Sequence, residues 1–502
     1  MKVVFVLFDS LIRKALASYG GTEIDTPNFD RLAKMGISFD THYVGSFPCM
    51  PARRDLHTGR LNFMHRSWGP LEPFDNSFVK TLRDQGVYTH LVTDHQHYFE
   101  DGGAGYATSF NTWDFIRGQE NDPWKAMVQP PLERFREKFD SRQYPEDNAM
   151  RIQHAINCEW MKEEEDFCTP RCFKSAFEFL DANRKADDWL LWLECFDPHE
   201  PFHAPERFKE KYAKDYKGRI LDWPLYEKNN NSPEEVDEIR ANYAALIAMC
   251  DEYFGQLLDY FDKNNMWEDT MLVMSTDHGF LLSEHDWWGK NRQPYYEEIA
   301  HIPMIIHHPE YTSQAGARRQ ALTQTPDIMP TLMEAFGIAL PVESTAKSLM
   351  PLLSQEQKLR DSIILGMFGG PICTTDGQYT YYLYPDDIES SDHLNEYTLM
   401  PTHLKTPFEV KELQQMELAG PFDFTKEVQV LKIRARGDVK RIPLGGFADI
   451  GTRLFDVKND PLQMNPIQGE KAVIQRLIQD LVRILAQHDA PDEVYIRFGI
   501  PN

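Results

Sequence analysis

Four short apolar runs in this chain stop at titratable residues. "VVFVLF" ends at Asp9, "THLVT" at Asp94, His95 and His97, "WLLWLECF" at Asp197 and His199, and "MLVMST" at Asp277 and His278. Each run has the length and the β-branched or aromatic content of a buried strand. Helical stretches lie between them. "TPNFDRLAKMG" has Thr26 as a cap, Pro27 in the first turn, Phe29, Leu32 and Ala33 on one face, and Gly36 as a stop. "SPEEVDEIRANYAALIAMCDEYFGQLLDYF" opens with a capping box from Ser232 to Glu235 and keeps an apolar stripe to Phe261. Alternating strands and helices specify an α/β fold: a mixed, mostly parallel central sheet flanked by helices, with ligands gathering beyond the carboxyl ends of the strands. The polar strand ends are therefore predicted to converge.

At 502 residues the chain exceeds what one core serves, so two domains are expected. The texture changes near residue 370. "QYTYYLYP" and "EVQVLKIRAR" read as strands, residues 386 to 425 are irregular and polar, and "AVIQRLIQDLVRILAQH" is an amphipathic helix aligning Ile474, Leu477, Ile478, Leu481 and Leu485. This predicts a catalytic α/β domain over 1–370 and a smaller α+β domain over 371–502.

Lysine and arginine number 53 against 78 acidic residues, a net charge of −25, which argues against a phosphate-tracking nucleic-acid surface or an anionic membrane as partner. Seven cysteines without a regular spacing suggest no disulfide framework and fit a reducing compartment. The opening "MKVVFVLFDS" is too short for a signal-peptide core, and no later run reaches membrane-span length. A soluble, cytoplasmic protein is the expectation.

Against that acidic background, "SFPCMPARRDLHTGR" crowds three arginines around one cysteine. A cysteine on its own is most often a small buried hydrophobe. Here Pro51 suits a first helical turn, so Cys49 falls at a helix N-terminus, where free N–H groups favour an anion. Arg53, one turn on, is expected to fork onto two oxygens of a tetrahedral anion.

The run Cys49-Met50-Pro51-Ala52-Arg53 with Thr58-Gly59-Arg60 resembles the signature C-x-P-[S/A]-R-x-x-x-x-T-G-R of the type I sulfatases, in the alkaline phosphatase superfamily. "DHGFLLSEHDWWGK" followed by "HIPMII" is similar to that family's second metal segment, and "LFDVKNDPLQMNPI" to its C-terminal strand motif, so the likeness runs with gaps over nearly the whole chain. The resemblance implies an alkaline-phosphatase-like fold and a sulfuric ester hydrolase. It implies a Cys49 oxidised by a maturation enzyme to formylglycine, whose hydrate attacks sulfur, expels the alcohol and then releases inorganic sulfate. Metal ligands are implied at Asp9, Asp277 and His278 together with position 49. Arg53 and Lys290 match sulfate-contacting positions, His199 the histidine on the sulfate or leaving oxygen, and His97 the histidine of the family's "G-K-W-H" segment. The substrate is expected to be a small-molecule or saccharide sulfate ester.

Three departures qualify this. Ser10 follows Asp9 where many members carry a second aspartate, His95 replaces the lysine of "G-K-W-H" as a substrate-binding group, and His278 stands where asparagine is also common. Fewer carboxylates and an imidazole move preference towards Mn2+, although the family's Ca2+ stays first. Ser10 and the Asp277-His278 pair are shared with phosphonate monoester hydrolases, the alternative reading. A non-catalytic binder of sulfated ligands is the third. His285 and His301 are expected to be packed histidines, Glu163 to Asp166 a solvated helical face, and Met50 with Trp287-Trp288 packing residues.

Overall fold

The run "VVFVLF" shows how the chain builds its centre. In the computed structural model, which describes residues 1–291, 294–435 and 451–502, strand Lys2–Phe8 is buried along its whole length. Val4, Val6 and Phe8 point into one core, while Val3, Phe5 and Leu7 point into a second on the opposite face. Side chains alternate along a strand, so a continuous apolar run is what a sheet covered on both faces requires.

This strand is central in an eight-stranded sheet. The order is Arg318–Arg319, Ile37–Phe39, Met304–His307, Thr270–Thr276, Lys2–Phe8, Trp189–Cys195, Tyr88–Thr93 and Thr112–Phe115. The last five are mutually parallel, and Met304–His307 runs antiparallel to both of its neighbours. The first core lies under helices Pro27–Met35, Cys168–Asn183 and Pro233–Asn264, and the second under Phe78–Asp84 and Ile328–Ala335.

Ser232 and Glu235 form the expected reciprocal capping box at the head of the 32-residue helix Pro233–Asn264. Thr26 does not cap with its side chain; its Oγ1 instead accepts from the Ala17 N–H at 3.1 Å. Glu163 to Asp166 form a single 3-10 turn with its own capping box, and Glu164 is tied to Arg207. His301 stacks on Tyr43 and bonds Glu297, and His285 stacks on Tyr296, so both are packed side chains.

A second sheet has the order Arg453–Asp456, Tyr379–Leu383, Ile372–Thr375, Ile363–Met367 and Ser46–Phe47. Helix Lys471–Gln487 covers it through Leu477, Leu481, Ile484 and Leu485, with Ile474 and Ile478 at the margin. It draws on strands from both sides of residue 370, and its edge strand immediately precedes Cys49. The strand read in "EVQVLKIRAR" is Val430–Arg434; Arg436 lies outside the described residues. No helix among the described residues is long and apolar enough to cross a membrane, and all seven cysteines are free thiols.

Candidate active site

Sheet register assembles the first half of the site. Phe8 lies opposite both Cys195 and Thr276, and Thr93 opposite Glu194. Asp9 and Asp277 are therefore one residue beyond the same edge, with Asp94 alongside. Glu194, the last acidic position inside strand Trp189–Cys195, faces the same space.

The second half arrives on helix Cys49–Thr58, all ten residues of which are buried. Strand Ser46–Phe47 pairs with Ile363–Met367 of the second sheet and aims the chain at the carboxyl edge of the first. Asp55 pins that entry by accepting from the Ser46 N–H at 2.6 Å, the Ser46 hydroxyl at 2.9 Å and the Asn62 amide at 2.5 Å. Gly59 ends the helix at φ +63, a left-handed conformation that glycine adopts freely.

Asp9, Cys49, Asp277 and His278 offer ligand atoms that all lie within 4.8 Å of one another, and all four are buried. His278 Nδ1 meets the Gly279 carbonyl at 3.0 Å, which fixes the proton there and turns the Nε2 lone pair into the cluster. Nε2 stands 3.2 Å from Cys49 Sγ and 3.4 Å from Asp277 Oδ2. Burial raises the Asp9 carboxyl, but the charges of Arg53 and Lys290 outweigh it and hold the group well below the usual carboxylate range. Burial lowers His278 and keeps it neutral, as a ligand must be. Two carboxylates, a neutral imidazole and the Cys49 sulfur are a donor set that could hold a divalent cation. Asp9 Oδ1, Asp9 Oδ2 and Asp277 Oδ2 accept from Ser10, Arg53 and Arg53 respectively and keep a lone pair each, whereas Asp277 Oδ1 is taken up by the Ser10 and His278 N–H groups.

Arg53 is not disposed as a fork for an incoming anion. Nε donates to Glu194 Oε1 at 2.7 Å, Nη1 to Asp277 Oδ2 at 2.6 Å and to the Cys49 carbonyl at 3.0 Å, and Nη2 to Asp9 Oδ2 at 3.0 Å. Its single charge is shared by three buried carboxylates. Burial, with Asp9 and Asp277 adding to it, pushes the Cys49 thiol well above its ordinary range, against the pull of Lys290 and Arg53.

The open side carries the remaining candidates. Lys290 Nζ donates to Cys49 Sγ at 3.3 Å and also contacts His199 Nε2. Burial works against its charge, but the surrounding acids raise its pKa well above normal. Burial and Lys290 lower the His199 pKa well below 6.5. The fully buried His95 stacks on Phe196 at 5.2 Å, and neither of its ring nitrogens has a hydrogen-bond partner. Burial, then Arg53, His97, His199 and Lys290, hold it neutral. His97 lies at the margin, with Nδ1 2.9 Å from Glu100 and its ring edge-on to Trp68.

Asp94 and Asp197 turn away from the cluster. They share the Gln119 amide, at 3.1 and 3.0 Å, and brace the loops. Glu194, Tyr98 and Glu200 are neighbours that pattern reasoning passed over. Tyr98 donates to Glu194 Oε2 at 2.9 Å. A lone acid inside an apolar strand was the available signal for Glu194.

The family model described as Sulfatase matches residues 2–338, and one described as N-sulphoglucosamine sulphohydrolase, C-terminal, matches 283–400. The N-acetylglucosamine-6-O-sulfatase of Bacteroides thetaiotaomicron is 26% identical over 426 residues, 71% of each chain. A structure solved with its substrate D-glucosamine-2-N,6-O-disulfate aligns at a TM-score of 0.67 and 18% identity over 98% of this chain and 99% of that one. The phosphonate monoester hydrolase of Agrobacterium radiobacter aligns at 0.65 and 17% identity, over 97% and 96%. With the match spanning the whole central sheet and the Cys49 helix, this chain belongs to the sulfatase family of sulfuric ester hydrolases.

Proposed function

We propose that this enzyme cleaves a small saccharide sulfate ester to the alcohol and inorganic sulfate, with Cys49 matured to formylglycine and one divalent ion held by Asp9, Asp277, His278 and position 49. The clustering of those four residues beside Lys290 and His199 carries the reading. Formylglycine would supply a hydroxyl nucleophile, and the ion, Ca2+ first and Mn2+ second, would acidify that hydroxyl and draw charge from the sulfuryl oxygens.

The chain's own groups do the rest. Lys290 and the unpartnered His95 are placed to donate to sulfuryl oxygens, and His199 faces the departing alcohol. Arg53 acts one step back by orienting Asp9 and Asp277. His97 backs the ring of His95, edge to face at 5.1 Å.

Charge sets the substrate class. Asp9, Asp277 and Glu194 against Arg53 and Lys290 leave one negative charge, with His95 neutral and the adjoining Glu200 and His199 adding no net charge while they share one proton. A divalent ion turns this to one positive charge, which a singly charged ester neutralises. A doubly charged phosphate monoester would overshoot. The saccharide portion is supported by the names of the relatives acting on N-acetylglucosamine and glucosamine sulfates. Seven unpaired thiols fit a reducing cytoplasm.

Phosphonate monoesters are also singly charged, and Ser10 with the Asp277-His278 pair favours them as the second reading. The deciding experiment uses protein co-produced with a formylglycine-generating enzyme, with the Cys49 peptide checked by mass spectrometry. Comparison of kcat/KM on aryl sulfate and aryl phosphonate is expected to favour sulfate; a preference for phosphonate overturns that order. Loss of all turnover in Cys49→Ala excludes a mere binding protein.

A further inference from the structure

The leaving side of the site contains an acid that no step above uses. Glu200 is buried, and its Oε2 lies 3.3 Å from His199 Nδ1 while making no hydrogen bond. Its Oε1 accepts from the Tyr226 hydroxyl, and its backbone carbonyl also meets His199 Nδ1. The opposite ring nitrogen, Nε2, faces Lys290 and through it Cys49. Glu200, His199, Lys290 and position 49 therefore form one chain of contacts, and Phe196 covers the imidazole face at 4.0 Å.

We infer that Glu200 is a positioning residue for departure of the alcohol: its backbone carbonyl fixes the His199 ring, and its carboxylate, 3.3 Å from Nδ1, steadies the charge that the ring carries when Nε2 holds the proton destined for the leaving oxygen. This rests on the sulfatase reading.

Of the two groups on that side, Lys290 directs its Nζ to position 49 at 3.3 Å, which leaves His199 as the group to meet the leaving oxygen. Burial, Lys290 and His278 oppose an imidazolium at His199, and the Glu200 backbone and Asp277 favour it. The Glu200 carboxyl is raised to about 7 by burial, with Lys290 and Tyr226 pulling it down and Glu120 pushing it up. It titrates in the range where a partner for imidazolium is useful. As sulfur passes to position 49, the ester S–O bond breaks and its electron pair stays on the leaving oxygen. That oxygen takes the Nε2 proton. The ring returns to its neutral Nδ1–H form and regains a proton from water before the next turnover.

The test is leaving-group dependence in matured protein. A nitrophenolate departs without a proton, whereas an alkoxide does not. Glu200→Gln is expected to lower kcat/KM on an alkyl or sugar sulfate about 10-fold or more, part of the roughly 10²- to 10⁴-fold a placed general acid supplies. Nitrophenyl sulfate turnover is expected to change little, and the alkaline limb on the alkyl ester to move to lower pH. Glu200→Asp is expected to recover part of the loss. Equal loss on both esters, or loss on neither, overturns the proposal. If Glu200→Gln does not fold, Tyr226→Phe carries the same comparison with the same two outcomes. If wild type turns over no sulfate ester, the sulfatase reading falls instead. The aryl and alkyl pair is then run on phosphonate monoesters, where selective loss supports the role of Glu200 and equal loss ends it.

Discussion

Glu194 takes the Nε and Nη2 edge of the Arg53 guanidinium, at 2.7 and 2.6 Å, with both side chains wholly excluded from water. The remaining edge reaches Asp277 and Asp9. One arginine thus joins three strands and the nucleophile helix. Ser10 supplies no carboxylate, and Glu194 contributes the third negative charge from a different strand.

Glu194→Ala is expected to destabilise the fold by about 3–5 kcal/mol, because it leaves a buried guanidinium without its main counter-ion. Urea unfolding measures this. Tyr98→Phe, which removes one hydrogen bond to the same carboxylate, is expected to lose only about 1 kcal/mol. Equal stability of Glu194→Ala and wild type would show that Asp9 and Asp277 suffice for Arg53.

Metal removal is expected to abolish turnover, with Ca2+ and then Mn2+ restoring it. Because an ion that binds only the native state raises the melting temperature by mass action, thermal shift reads the same site in unmatured protein. Asp9→Asn and His278→Ala are expected to eliminate that shift. An undiminished shift in both variants would place the ion elsewhere.

Gly279 has no room for a methyl group. A Cβ there would stand 1.9 Å from the Glu298 carbonyl oxygen, and the Gly279 carbonyl is what holds His278 Nδ1. Gly279→Ala is expected to cost about 1–3 kcal/mol from overpacking. Loss of the contact that orients the ligand is expected to weaken ion affinity about 10- to 100-fold. Calorimetric titration with the ion would detect an unchanged affinity, contrary to this account.

Far from the cluster, Cys158 Sγ lies 3.4 Å from His154 Nε2, with Asp222 Oδ2 3.8 Å from the same nitrogen. Burial alone disfavours both charges. Even so, Cys158 and Asp222 raise His154 from 6.5 to about 10, and His154 with His203 lowers Cys158 from 9.0 to about 5. The raised histidine stabilises fully below 6.5 and loses its effect as pH rises through 10. The depressed thiol stabilises fully above 9.0 and loses its effect as pH falls through 5. Between 6.5 and 9.0 the folded and unfolded pairs bind the same number of protons. The stability advantage of wild type over Cys158→Ala is expected to be flat across that window and to shrink on both sides. A monotonic advantage in urea melts from pH 5 to 10 would refute the ion pair.

Much of the fold was legible because strand periodicity and polar strand ends are local properties. "VVFVLF" and "MLVMST" could be read as buried strands of a mostly parallel sheet with converging polar ends, and the capping box of Ser232 could be read from four letters; that the two strands are neighbours came from the structure. Thr26 stands at the N-cap position the sequence indicates, but its hydroxyl serves Ala17 rather than the helix, an exchange decided by how two turns pack. The stretch from Glu163 to Asp166 is a 3-10 turn with its own capping box, and what lay beyond the sequence is that Arg207, distant along the chain, pairs with Glu164.

By itself, the sequence determined the layered α/β architecture and which residue types reach the rim of the sheet, since apolar period and capping depend on near neighbours. It also specified that a cysteine and an arginine would share one turn of a helix. Only the tertiary structure decided that this arginine faces inward onto Asp9, Asp277 and Glu194, and that Glu200 backs His199. Such pairings are set by strand register and by burial, where charges from distant segments must neutralise one another once water is excluded.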